Sequence, residues 1–224
     1  MRRACLPLVM MLACNPKPQD GARVDPEPAT VDAPPPSEEP VEPEDPEAAE
    51  REEARQRARN APPPAGLAAG LVSDFEGGQL GSEFGAGWQK GSDEMTGGSS
   101  TVELEVTDGA LRIDGTIDEG SLPDAWAGAM FFPGDQAMRP ANLRDKPTLV
   151  VQARGDGPLM VKIFSERNGT TPVTTSVEIG EDWGRYEVDM STLVDEPYDV
   201  TAIFLGVPAQ AGSWTVWIDD VRLR

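Results

Sequence analysis

The chain has 224 residues and a formal net charge of −20, with 39 acidic side chains, 19 basic ones and no histidine. So acidic a surface repels phosphate backbones, which excludes nucleic acid as a partner. Both cysteines, Cys5 and Cys14, fall at the start, so the remainder forms no disulfide and has no thiolate to use in catalysis.

Met1-Arg2-Arg3 is a short basic start, and Ala4–Ala13 is an apolar run. A bilayer-spanning helix needs ~20 apolar residues, so this run is no transmembrane helix and suits the core of a signal peptide. It ends at Leu12-Ala13-Cys14 and gives way at once to Asn15-Pro16-Lys17-Pro18. That junction resembles a bacterial lipobox, which implies cleavage before Cys14 and lipidation of its thiol. Residues 1–14 are therefore expected to be a lipoprotein-type signal peptide. The expected location is the bacterial cell envelope, at the outer membrane or in the periplasm, with the lipid anchor as the only membrane attachment.

Residues 15–66 hold 13 acidic and 6 basic side chains, a balance of −7, and most of the proline. Such a segment cannot bury enough apolar surface to offset its ordering entropy, and proline with like-charge repulsion extends it. It reads as a disordered tether. Within it, Glu47–Arg59 carries acids first and arginines last, with Glu53 four residues before Arg57. That order complements a helix dipole and predicts a short helix over 47–59, alone because it has no apolar face.

Residues 67–224 carry 26 acidic and 11 basic side chains, a balance of −15. Ten strands are predicted: Leu71–Glu76, Thr101–Thr107, Ala110–Ile117, Ala125–Phe132, Thr148–Arg154, Leu159–Ser165, Val173–Ile179, Tyr186–Met190, Val200–Val207 and Trp214–Leu223. Many alternate with period two, as Leu111 and Ile113 do against Arg112 and Asp114. Asp108-Gly109, Gly155-Asp156-Gly157 and Asn168-Gly169 supply turns between them. With no helix among them, these strands predict an all-β, two-sheet antiparallel sandwich whose first and last strands lie near each other. Trp88, Trp183 and Trp217 are expected in its core.

The order and spacing of several short motifs resemble the CIA30 family, named for the complex I intermediate-associated protein 30 of mitochondria. They are Asp74-Phe75-Glu76, Trp88, Asp93-Glu94-Met95-Thr96-Gly97-Gly98-Ser99, Gly115-Thr116-Ile117, Trp126-Ala127-Gly128, Ala153-Arg154-Gly155-Asp156-Gly157, Trp183 and Ile218-Asp219-Asp220-Val221. The likeness spans residues 73–224. CIA30 domains are similar to galactose-binding-like jelly rolls, including carbohydrate-binding modules of the family 11 type. The resemblance therefore implies a jelly roll with one of two roles, assembly of a respiratory complex or binding of glycans on a concave sheet.

In those modules a Phe-Glu-x-Gly near the first strand and an Asp in the last share a structural calcium ion. Carried over to this chain, the resemblance points to Glu76 and Asp219, with Asp74 and Asp220 in reserve, although strand alternation puts only one of Asp219 and Asp220 on a given face. Calcium takes six to eight oxygens, and a solvated acidic end is the plain alternative. A glycan face needs aromatic and polar side chains together. Met160, Lys162 and Phe164 share one side of their strand, with Gln152 and Arg154 expected on the neighbouring strand and Trp126 joining them. The plain alternative is a solvated sheet face whose aromatics fill the core. Thr96–Ser100 reads as a tight turn, and Arg154-Gly155-Asp156 as a turn that spells an adhesion tripeptide by chance.

Without histidine or a mature cysteine in 67–224, catalysis is not expected. The reading is a non-catalytic, membrane-anchored module that binds a carbohydrate or a glycan-bearing partner. The alternative is an assembly or scaffolding factor that holds a protein subunit.

Overall fold

A computed structural model describes residues 46–118, 120, 125–155, 157–207 and 212–224. The chain divides into two units, Met1–Pro43 and Glu44–Arg224. The first unit, with the expected signal peptide, Cys14 and most of the tether, lies outside the described residues. Asp156 lies outside them too.

The second unit begins with helix α1 (Pro46–Arg59) and continues through eleven strands. These are β1 (Leu71–Ser73), β2 (Gly87–Ser92), β3 (Thr101–Thr107), β4 (Ala110–Ile117), β5 (Ala127–Phe132), β6 (Thr148–Gly155), β7 (Leu159–Ser165), β8 (Val173–Val177), β9 (Gly184–Asp189), β10 (Val200–Val207) and β11 (Gly212–Leu223). Ten answer the predicted strands. The sequence reading misses β2, whose Gly87-Trp88-Gln89-Lys90-Gly91-Ser92 shows no apolar alternation.

Two antiparallel sheets form, one ordered β3-β4-β11-β6-β9 with β1 also on β11, the other β2-β5-β10-β7-β8. This is the two-sheet jelly-roll sandwich that the sequence predicts. The twelve-residue β11 organises the first sheet. Its edge pairs with β4 from Gly212 to Ile218 and then with β1, where Leu71 faces Arg222 and Ser73 faces Val221. Its other edge pairs with β6 from Val216 to Leu223, with a bulge between Asp219 and Arg222. First and last strands thus lie side by side, as expected.

Alternation sends one side of each sheet into a shared core. Leu111, Ile113, Val216, Ile218, Leu149 and Val151 meet Phe131, Ile203, Leu205, Val161 and Ile163, all buried. Trp88 is the anticipated core residue, with its ring 5.3 Å from Phe131 and 5.9 Å from Phe75. Its indole N–H donates to Ser73 Oγ at 2.9 Å, so the buried polar atom is satisfied.

Trp183 and Trp217 are not core residues. Trp217 falls between Val216 and Ile218, which point inward, so the pleat turns it outward. Trp183 precedes β9 and is 42% exposed.

Helix α1 is present but not alone, and polar contacts hold its end. Asn142 donates to the carbonyls of Arg59 and Ala61, at 3.3 and 2.8 Å, capping the helix C-terminus. Arg59 pairs with Glu196 at 3.0 Å and lies 5.1 Å from the Tyr198 ring. Arg167 covers the same ring at 4.1 Å and forms an ion pair with buried Asp199 at 2.8 Å. An apolar-face reading is blind to such docking, because here the helix binds through its last carbonyls and one guanidinium.

Candidate functional site

The outer face of the five-stranded sheet carries a second apolar cluster of Met130, Phe132, Met160, Phe164, Ala202 and Phe204, with Trp126 packed against it. β5, β7 and β10 are therefore buried on both sides, unlike an antiparallel strand with one wet face. Trp126 meets Phe204 edge to face at 5.1 Å. Lys162 Nζ stands 5.1 Å from the Trp126 ring centroid and 5.9 Å from that of Phe204. The predicted Met160, Lys162, Phe164 and Trp126 are thus brought together. Met160, Lys162 and Phe164 are buried, and Trp126 is the half-exposed member.

A row of glycines makes this stacking possible. Gly91 faces Gly128 across β2 and β5, and Gly128 faces Gly206 across β5 and β10. A Cβ on Gly128 or Gly206 would stand 2.7 or 2.4 Å from Phe204 Cζ, and one on Gly91 would stand 3.3 Å from the Trp126 ring. Both rings lie on bare backbone. Phe204, Gly91 and Gly206 escaped the sequence reading, and Gly128 entered it only within a motif, although glycine inside a strand is the signal of a close approach.

Asp93 fixes Trp126 from behind. Its fully buried carboxylate accepts from Ser100 N–H at 2.9 Å, Ser100 Oγ at 2.7 Å and Trp126 N–H at 3.1 Å. Its own N–H donates to the Trp126 carbonyl at 2.9 Å. The segment Asp93–Thr96 is a short 3-10 helix capped by left-handed Gly97. That segment is therefore a brace for the aromatic face.

Gln152 and Arg154 do not belong to this face. They lie on β6, which is in the six-stranded sheet, whereas β7 is in the other. The chain crosses from one sheet to the other after β6, so nearness in sequence did not make β6 and β7 neighbours. Gln152 pairs with Asp219 and Arg154 with Trp217, both on β11.

The predicted metal residues gather where β1 and β11 end. A bulge in β11 between Asp219 and Arg222, with Asp220 at φ 44°, breaks the alternation expected to separate Asp219 from Asp220. Asp219 accepts from Asp220 N–H at 2.6 Å, and Asp220 pairs with Arg222 at 2.7 Å. Asp74 accepts from Glu76 N–H at 3.3 Å. Burial raises the Asp219 pKa above the usual carboxylate value, and the charges of Asp220, Glu76 and Asp74 push it further, against the Asp220 N–H bond. This corner has the charge for a cation. Among the described residues, however, no three His, Cys, Asp or Glu side chains converge into a metal-holding group.

No family model and no curated protein matches the chain, so the CIA30 likeness rests on the quoted motifs alone. Solved structures are similar to it. One is the family 11 carbohydrate-binding module of a cellulosomal cellulase from Clostridium thermocellum, 13% identical, with a TM-score of 0.48 over 73% of this chain and 95% of that one. A family 11 module from the same organism, in complex with a beta-1,3-1,4-mixed-linked tetrasaccharide, is 14% identical, with a TM-score of 0.46 over 69% and 94%. A mutant of the family 29 module CBM29-2 is 12% identical, with a TM-score of 0.46 over 69% and 91%. Likeness at this level leaves function to the chemistry of the site.

The Asp219 shift has a thermal consequence. A carboxyl whose pKa is raised on folding adds stability below its unfolded pKa, and loses it as pH rises through the folded value. Asp219 therefore opposes the fold at neutral pH. Asp219→Asn keeps the acceptor for Asp220 N–H and removes the charge. In excess chelator, this variant is expected to melt above the native chain at neutral pH. The gap should close as pH falls below the ordinary value of 3.8. A variant that melts at or below the native chain at neutral pH contradicts this account.

Proposed function

We propose that the chain is a non-catalytic module that binds a carbohydrate on the outer face of its five-stranded sheet. The observation that carries this reading is Trp126, half-exposed and braced on Phe204, with the Lys162 ammonium 5.1 Å from its ring. An indole offers a flat apolar surface to the C–H face of a pyranose, and an ammonium donates to its hydroxyls. The glycine row and the Asp93 brace hold the Trp126 indole in place before any ligand arrives, which lowers the cost of binding. Catalysis has little to work with. The chain has no histidine, and its buried carboxylates are committed, Asp93 to three donors and Asp199 to Arg167.

Two further parts of the proposal rest on sequence. The lipobox-like segment before Cys14 supports a lipid-anchored position in the bacterial cell envelope. No helix among the described residues is long and apolar enough to cross a membrane. Calcium at the corner of Asp74, Glu76 and Asp219 would relieve the carboxylate repulsion there.

The full chain is expected to bind at least one neutral oligosaccharide on a glycan array. Lys162→Met keeps the apolar stem and removes a charged donor worth ~1.5–3 kcal/mol, so affinity should fall about tenfold or more while the chain stays folded. An array without signal, or equal binding by both chains, contradicts the reading. A silent array with a co-purifying membrane subunit would favour the scaffolding role. Palmitate-analogue labelling should appear in the native protein and vanish in Cys14→Ala, and labelling that persists there refutes the anchor. Added calcium should raise the Tm of the native chain but not of Asp219→Asn, and no rise in the native chain excludes the ion.

A further inference from the structure

Arg154 lies on the outer face of the six-stranded sheet, opposite Trp217 in register. Its guanidinium carbon is 5.1 Å from the Trp217 ring and 5.1 Å from the Trp183 ring. On the other side of the register, Arg112 stands 5.6 Å from the Trp217 ring. The order Trp183, Arg154, Trp217, Arg112 is thus a ladder of alternating indoles and guanidiniums.

The two arginines differ in one respect. Arg112 is neutralised by Asp114, with Nε 2.9 Å from Oδ2. The Arg154 side chain makes no ion pair or hydrogen bond among the described residues, and its Nε, like those of Arg59 and Arg112, is buried without a hydrogen-bond partner. A buried donor left unmade costs free energy, so an unpaired guanidinium calls for a reason. Scarcity of carboxylates is not that reason, since the chain holds 39 acidic side chains. Arg59, Arg167, Arg185, Arg222 and Arg224 all have acidic partners.

Beside Arg154 is a depression of about 240 Å³ lined by Gly155, Glu181, Thr215 and Trp217. Trp183, next to it on the ladder, is one of three exposed large hydrophobic side chains among the described residues. Thr215 Oγ1 donates to Asp114 at 2.8 Å, which leaves its lone pairs free to accept.

We propose that this ladder is a second ligand site, on the sheet opposite Trp126, for a sugar that carries a carboxylate. A uronic-acid residue of an acidic polysaccharide has the matching chemistry. The Arg154 guanidinium takes the carboxylate, the indoles take the C–H face, and Thr215 and Glu181 accept from ring hydroxyls. This site does not depend on the carbohydrate reading of the other face.

Calorimetric titration of the full chain with trigalacturonic acid and with neutral galactotriose tests the assignment. The uronate trimer should bind more tightly than the neutral one, with an affinity that falls as salt is added. Arg154→Gln should weaken uronate binding at least tenfold. Should Arg154→Gln fail to fold, the exposed Trp183→Ala is expected to show the same loss. The proposal is overturned if the uronate does not bind, if the neutral trimer binds as well, or if both ladder variants bind normally. It also fails if a peptide of residues 37–46, Ser-Glu-Glu-Pro-Val-Glu-Pro-Glu-Asp-Pro, binds as tightly as the uronate, since the site would then take an acidic peptide.

Discussion

The pairing of β11 with three partners is the constraint on which the rest of the domain depends. One edge of this strand serves β4 and then β1, and the other serves β6. That register aligns Val216 and Ile218 with the core residues Ile113, Leu111 and Ala153. A slip by one residue would invert every side chain of β11, burying Trp217 and exposing Ile218. The same register sets Arg112 and Arg154 on either side of Trp217. Core and ladder are therefore two consequences of one alignment.

The two sheets present different outer chemistry. On the six-stranded sheet the outward positions include charged and hydroxylic side chains, as in Glu103, Arg112, Asp114, Thr215 and Arg154, around the indole of Trp217. On the five-stranded sheet they are Met130, Phe132, Met160, Phe164 and Phe204, interrupted by glycines where rings lie flat. Edge-to-face packing of Trp126 on Phe204 adds ~0.5–1.5 kcal/mol beyond area burial and orders the indole. Asp93, Ser100 and the Trp126 backbone form the polar frame of that ring, so the loop after β2 and the start of β5 act together.

Strand positions were legible because a half-buried strand alternates locally and its turns are marked by glycine and asparagine. β3 and β4 match their predicted bounds for that reason, whereas β7 and β10, buried on both faces, match as short apolar runs bounded by turn residues. Partnership between strands was not legible, since β11 meets β4 across about a hundred residues and nothing local encodes that. Gln152 and Arg154 were grouped with Lys162 on sequence proximity, which the crossing between sheets defeats. Trp217 could have been placed correctly, because its parity is opposite to that of Val216 and Ile218. Trp183 could not, as it lies outside a strand. The docking of α1 through Asn142, Arg59 and Tyr198 escapes any reading based on apolar periodicity.

The division of β6 and β7 between opposite sheets is the claim most directly open to measurement. Backbone proton contacts in a nuclear Overhauser spectrum of the folded chain report strand neighbours without reference to ligand. The account predicts cross-strand contacts of Ile218 with both Ala153 and Leu111, of Leu71 with Arg222, and of Val161 with Leu205. Contacts that pair Gln152 or Arg154 directly with Met160 or Lys162 would contradict it, because both outer faces described above would then be wrong.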